Sequence, residues 1–179
     1  MTQTLKEITK QAHADAEHTA ISQAMIKGTI SDNQWYLWLR QKYMMFFAIE
    51  KQLNMSARLS RSIDIFDDIP PHARDLPILD STSKYVHNIF DSPAKSVHAD
   101  LYVHFLGEVY GGQFIKKSLP WHFGTKHLTF DQTQKEELVS YIRNLIQDRD
   151  QELAPRALAA FEQVTHIHND ILAYLKQDS

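Results

Sequence analysis

Apolar residues recur at helical intervals along nearly the whole chain. From the start they fall at Leu5, Ile8, Ala12, Ala16 and Ala20, a spacing that lays one stripe along one face of a helix. A break is predicted around Lys27–Gly28. Ser31 followed three residues later by Gln34 is a capping-box signature. It opens a long helix, NQWYLWLRQKYMMFFAIEKQL, over about residues 33–55. That segment is apolar over much of its circumference, which predicts a path through the centre of a bundle. Residues 60–94 are broken by prolines and acids (IDIFDDIPPHARDLPILD) and read as short helices and loops. After Pro93 the pattern predicts a helix over about 95–118, then a loop rich in Pro, Gly and His (LPWHFGTKHLTF). Two helices close the chain, over about 131–152 and 156–176, with Pro155 suited to the first turn of the second. There are no internal repeats, no low-complexity tracts and no convincing strands, so the fold class is an all-α bundle.

Composition adds bounds. A chain of 179 residues predicts one domain, 1–179, large enough to bury a real core. A net charge of −3 with histidines neutral gives no global drive toward nucleic acid or an anionic membrane. No apolar run approaches the ~18 residues of a membrane span, and the first residues lack the layout of a secretory signal. The absence of cysteine excludes disulfides, thiolate metal ligands and a cysteine nucleophile.

Three constellations could carry chemistry. His13 and Glu17 lie four residues apart, one turn along a common face. A carboxylate there can take one imidazole N–H and leave the other nitrogen for a metal, although the same spacing also fits a loose surface pair. Three of the five glycines, Gly107, Gly111 and Gly112, fall in FLGEVYGGQFIKK, where each weakens a helix by roughly 1 kcal/mol relative to alanine. Close packing of two helices would explain them, and so would a flat ligand resting on bare backbone beside Glu108. The third set is THIHND (165–170) with His98 and Asp100. No Glu-x-x-His occurs, which argues against a carboxylate-bridged di-iron bundle, and solvated or capping histidines are expected there. Lys116–Lys117 reads as a solvated helix end.

Taken in order, these segments resemble the haem oxygenase family. LKEITKQAHADAE resembles its first helix, with the proximal histidine at His13 and its supporting glutamate at Glu17. IKGTIS resembles the turn into the second helix, YMMFFAIEKQL its apolar segment, and LYVHFLGEVYGGQFIKK its glycine-broken distal helix. The resemblance covers residues 5–58 and 98–118 well and the last helices loosely. It implies a bundle with haem b sandwiched between the first helix and a glycine-kinked distal helix. It also implies oxidative opening of haem, at once substrate and cofactor, to biliverdin, CO and ferrous iron with O2 and electrons from an external donor. On the family pattern His13 is the axial ligand of the haem iron, and Gly107, Gly111 and Gly112 bring backbone to the porphyrin. Lys6, Tyr102 and Arg143 serve the propionates, and Glu108 with Gly107 and Gly111 carries the distal chemistry. The donor would be a ferredoxin or a flavoprotein reductase, docking on Lys116–Lys117, with a bilin reductase downstream. A soluble, cytoplasmic form of the bacterial, plastid or viral type is expected, without nucleic acid or membrane as partner. The sequence departs from the family pattern at Glu108, usually aspartate, at Tyr110, usually small, and at His104, often arginine. These departures leave open a haem-binding or haem-transfer protein with little turnover. Thiamin-degrading relatives on the same fold depend on a cysteine this chain lacks.

Overall fold

Capping signals and buried faces set the elements of the computed structural model, which describes residues 2–177; Met1, Asp178 and Ser179 lie outside the described residues. The first apolar stripe forms three short helices, α1 (Leu5–Ile8), α2 (Lys10–Glu17) and α3 (Ala20–Lys27). The expected continuous helix is interrupted where side chains compete for backbone groups. Thr9 Oγ1 donates to Leu5 O at 2.8 Å, and His18 Nδ1 lies 2.6 Å from Ala14 O. Gly28 ends α3 in the left-handed region at φ +71°. Its missing Cβ also admits the carbonyl of Ser118, which a Cβ would approach to 2.3 Å, so glycine is required there twice over.

The predicted capping box forms, with Gln34 N to Ser31 Oγ at 3.2 Å and Ser31 N to Gln34 Oε1 at 3.1 Å. It opens α4 (Asp32–Gln52), which crosses the core with Trp35, Leu39, Met45, Phe46 and Ile49 fully buried. The middle of the chain folds as α5 (Ser62–Asp67), a 3-10 turn and α6 (Asp80–Asp91). Buried Gln41 of α4 holds this segment by donating to Pro77 O (2.9 Å) and accepting from Leu79 N (2.8 Å).

The helix expected over 95–118 divides at Tyr110 into α7 (Ala94–Val109) and α8 (Gly111–Ser118). Tyr110 stands at φ −103°, ψ −65°, directly before the Gly111–Gly112 pair, where a helix resists bending least. The last two helices are α9 (Gln132–Ile146) and α10 (Asp150–Gln177), so the expected boundary at 152–156 is corrected to 147–149. Asp148, at φ +60°, makes the reversal, and Pro155 lies inside α10. A short polar side chain tolerates the left-handed conformation, and no reversal at the proline is needed.

The long α10 packs on α7 and also meets α2, α3, α4 and α6. Small residues on both partners, Ala99 of α7 with Ala154, Ala157 and Ala160 of α10, form a second core with Leu5, Val103 and Leu153. Together α2, α3, α4, α7, α8 and α10 enclose one side of the molecule as a cleft.

Candidate functional site

Two dissimilar walls form this cleft, a volume of about 410 Å3. On α2, His13 Nε2 lies 2.9 Å from Glu17 Oε1, and both side chains are more than half exposed. The His13 ring also contacts Phe161 of α10, with centroids 5.3 Å apart. The other wall is the bend between α7 and α8. A Cβ added at Gly107 or Gly111 would meet nothing within 4 Å, so bare backbone faces the opening. Between the walls α4 contributes Trp38, Lys42, Met45 and Phe46, and the apolar edges of Ile26 (41% exposed) and Phe114 (71% exposed) flank the mouth. Wide, apolar and lined by few polar groups, it is shaped for a flat organic ligand.

Polar groups buried in this region are concentrated around Lys42. Its ammonium forms an ion pair with Glu108, the side chains being 8% and 7% exposed. Both residues line the cleft. His104 Nε2 lies 2.8 Å from Tyr85 Oη, and Tyr85 also donates to Asp100, which pairs with Arg156. Burial raises the Tyr85 phenol well above its usual value, and the Asp100 carboxylate adds to this. His168 Nδ1 lies 2.7 Å from Thr19 Oγ1, and its ring meets Trp38 edge-on at 4.5 Å. Burial, with Lys42 adding repulsion, pushes His104 and His168 down to about 3.

Those two imidazoles set an acid limit on the fold. In the unfolded chain a histidine titrates near ~6.5. As pH falls through that value the unfolded state takes protons that the folded state refuses, so stability declines steadily toward pH ~3. Each residue removes about 2 kcal/mol at pH ~5, at ~1.36 kcal/mol per unit below the unfolded value. The expected result is a urea-unfolding free energy several kcal/mol lower at pH ~5 than at pH ~7.5. A flat profile over that range would mean the two rings are hydrated and free to charge.

The fold brings His13, Glu17, Gly107, Glu108 and Gly111 to one cleft and leaves other expected site residues outside it. Gly112 is buried against Leu128, whose Cδ2 a Cβ would approach to 2.9 Å, so it serves packing and not the cleft face. Arg143 is exposed and points to Tyr110, Nη2 to Oη 3.5 Å, in a neighbouring groove on α9. Tyr110 therefore turns away from the cleft, with Lys135 over its ring. Lys6 is exposed on α1. Tyr102 is half-buried, packs between the two cores and bonds Thr9. Neither lines the cleft. Solvation was expected for both histidines of THIHND; it is found for His166, whereas His168 is a core residue. His98 and Asp100 do not form a pair, since His98 bonds Arg149. Lys42 carried a signal that sequence reasoning missed, a cation inside the apolar run WLRQKYMMFF. His127 and Asp68, also buried near Glu108, carried none, because a long-range contact brings them there.

Haem fits these residues. Among the described residues there is no cluster of three or more His, Asp or Glu able to hold a bare ion. One exposed imidazole opposite open backbone suits a metal that brings its remaining ligands in a flat ring. As placed, His13 offers Nε2 to Glu17; the exposed ring and the exposed carboxylate would both have to reorient to turn Nδ1 to Glu17 and free Nε2.

Known proteins share this fold. A structure of haem oxygenase-1 from the cyanobacterium Synechocystis, in complex with haem, superposes with a TM-score of 0.81 at 19% identity, covering 97% of this chain and 93% of that one. The haem oxygenase structure from Leptospira interrogans gives a TM-score of 0.78 at 20% identity, over 93% and 97% of the two chains. In sequence the chain is 26% identical to haem oxygenase 1 of Gallus gallus over 138 residues, or 65% of this chain, and spans 46% of that relative's length. It is 23% identical to the haem oxygenase of Porphyra purpurea over 159 residues, 75% of this chain and 67% of that protein. The family model described as Heme oxygenase matches residues 1–177. With nearly its whole length matched and the same arrangement of helices, the chain belongs to the haem oxygenase family.

Proposed function

We propose that the protein is an enzyme that opens haem to biliverdin, CO and ferrous iron, using O2 and electrons from an external donor. One observation carries the proposal: an exposed His13–Glu17 pair faces the uncovered backbone of Gly107 and Gly111 across an apolar cleft. Bound haem would supply the iron at which dioxygen is activated. His13 would hold that iron, and Glu17 would fix the imidazole by accepting its second N–H. Gly107 and Gly111 keep the opposite face free of side chains, and Phe46, Phe161 and Val164 limit water. Glu108, anchored by Lys42, places a carboxyl group where protons are needed.

The remaining features of the reading are proposed from the family resemblance. A ferredoxin or flavoprotein reductase as donor, a bilin reductase as consumer of the product and a cytoplasmic setting are the proposed context. Lys116 and Lys117, in the last turn of α8, offer basic charge to an acidic donor. No helix of the described residues is long and apolar enough to cross a membrane.

The deciding measurement is a haem titration followed by addition of reductant in air, on wild type and His13→Ala. Wild type should saturate near one haem per chain and then lose its Soret band as bilin absorption rises. His13→Ala should shift the Soret band and lower the bilin yield at least about tenfold. A wild-type protein without a Soret band would sink the assignment. A haem complex stable to reductant and oxygen would instead mark a binding or transfer protein.

A further inference from the structure

Behind the cleft wall two buried polar atoms face each other without a bond. Glu108 Oε2 and His127 Nε2 lie 3.9 Å apart, and neither has a hydrogen-bond partner among the described residues. That distance is too long for a direct hydrogen bond, and each unpaired buried group costs about 1–3 kcal/mol. The other side of the imidazole explains the arrangement. His127 Nδ1 lies 2.6 Å from Asp68 Oδ2. Burial alone would raise the Asp68 carboxyl, but hydrogen bonds from the His127 ring and from the His127 and Lys126 amides outweigh it and hold it below the usual range. Nδ1 therefore carries the hydrogen, and Nε2 is bare. Two acceptors, Nε2 and Oε2, can be reconciled by one water that donates an O–H to each.

Several elements fix this imidazole. Arg61, 1% exposed, donates from Nη2 to the His127 carbonyl at 2.6 Å, and its guanidinium also reaches the carbonyls of Lys126 and Thr129. Asp68 accepts the backbone N–H of Lys126 (3.0 Å) and of His127 (2.9 Å). Gly124 lets the chain pass over Asp68, whose Oδ1 would lie 2.5 Å from a Cβ at that position. The charged and titratable groups around His127 are Lys42 from α4, Glu108 from α7, Asp68 after α5, and Arg61 on its carbonyl. Burial and Lys42 keep the imidazole neutral at rest, with Asp68 and Glu108 opposing them.

We propose that Asp68 and His127 form a proton relay that serves Glu108. Nε2 takes up the incoming proton through the bridging water, and Asp68 stabilises the resulting imidazolium. Nε2 then passes its proton to the bridging water, which gives one of its own to Glu108 Oε2. The imidazole ends neutral, the carboxylate ends as the acid, and no electron moves. Glu108, which lines the cleft, delivers that proton to the reaction, and its vacated carboxylate is recharged by the same route. His127 is a relay residue without contact to the cleft. The inference rests on the haem-opening reading for its purpose and on the apo geometry for its existence.

The test is bilin formation by haem-loaded wild type, His127→Gln and Asp68→Asn at fixed reductant. Both variants should bind haem within about threefold of wild type. Their rates should fall about tenfold at pH ~8, where protons are scarce, and less than about threefold at pH ~6. An equal loss at both pH values, or no loss, would overturn the relay. If a variant fails to fold, nitrogen-15 imidazole spectra of the apo wild type and Glu108→Gln decide. An Nδ1–H tautomer at His127 whose shifts respond to Glu108→Gln upholds the coupling, and an Nε2–H tautomer or an unresponsive ring removes it. Wild type that binds no haem defeats the functional reading alone, since the spectra still judge the relay.

Discussion

Gly107→Leu should make the ligand-free protein more stable and at the same time lower its haem affinity at least about tenfold. The two effects have separate causes. Inside α7 a glycine weakens the helix by up to ~1 kcal/mol, and a side chain at this position would meet no neighbour within 4 Å. Removing the weakness should raise the melting temperature by about 2–4 °C for a chain of this size. On the proposed function the same empty space takes the ligand, so a leucine would stand where the ring is to rest. Gly112→Leu is the control, because its Cβ would press on Leu128 at 2.9 Å and should destabilise the apo protein. Thermal melts and Soret titrations of both variants measure this. Unchanged haem affinity in Gly107→Leu would remove that glycine from the binding face.

The ion pair between Lys42 and Glu108 should show a large coupling. With the side chains only 8% and 7% exposed, neither charge has solvent to fall back on. Lys42→Met leaves Glu108 as a buried, unmatched charge, a loss of about 3–5 kcal/mol for pairs of this kind. Glu108→Gln leaves the ammonium among His104, His127 and His168, whose protonation it already opposes. The double variant Lys42→Met/Glu108→Gln should recover most of the loss, because it leaves no buried charge and puts an adaptable apolar side chain beside Trp38 and Phe46, over whose rings the Lys42 ammonium lies. Urea unfolding of the four proteins gives the coupling energy. A value near zero would mean that water reaches the pair. The haem-loading step would then have to explain why a lysine occupies an apolar helix face.

Much of the site was legible where a local pattern carried it. His13 and Glu17 are one turn apart on any helix, and glycines in a helical run announce either packing or an open face. Distinguishing those two uses was beyond the pattern: Gly107 and Gly111 face open space, whereas Gly112, adjacent to Gly111, is buried against Leu128. The helical wheel of a straight segment could not show this, because the chain bends at Tyr110 and reorients everything after it. Family pattern puts Arg143 at the propionates and leaves the direction of Tyr110 open, yet the two meet each other in a separate groove.

Local spacing along the chain is enough for the helical class, the capped start of α4, the turn at Gly28 and the pairing of His13 with Glu17. All of these depend on residues within one or two turns of each other, whose geometry the backbone fixes. It takes the packed fold to bring Lys42 to Glu108, to set Asp68 and His127 behind them and to make His168 a core residue. Those contacts join residues 59 positions apart for Asp68 and His127, and 149 apart for His168 and Thr19. Their energies depend on burial, which raises the cost of an unmatched charge and is a property of the packed molecule and not of any segment.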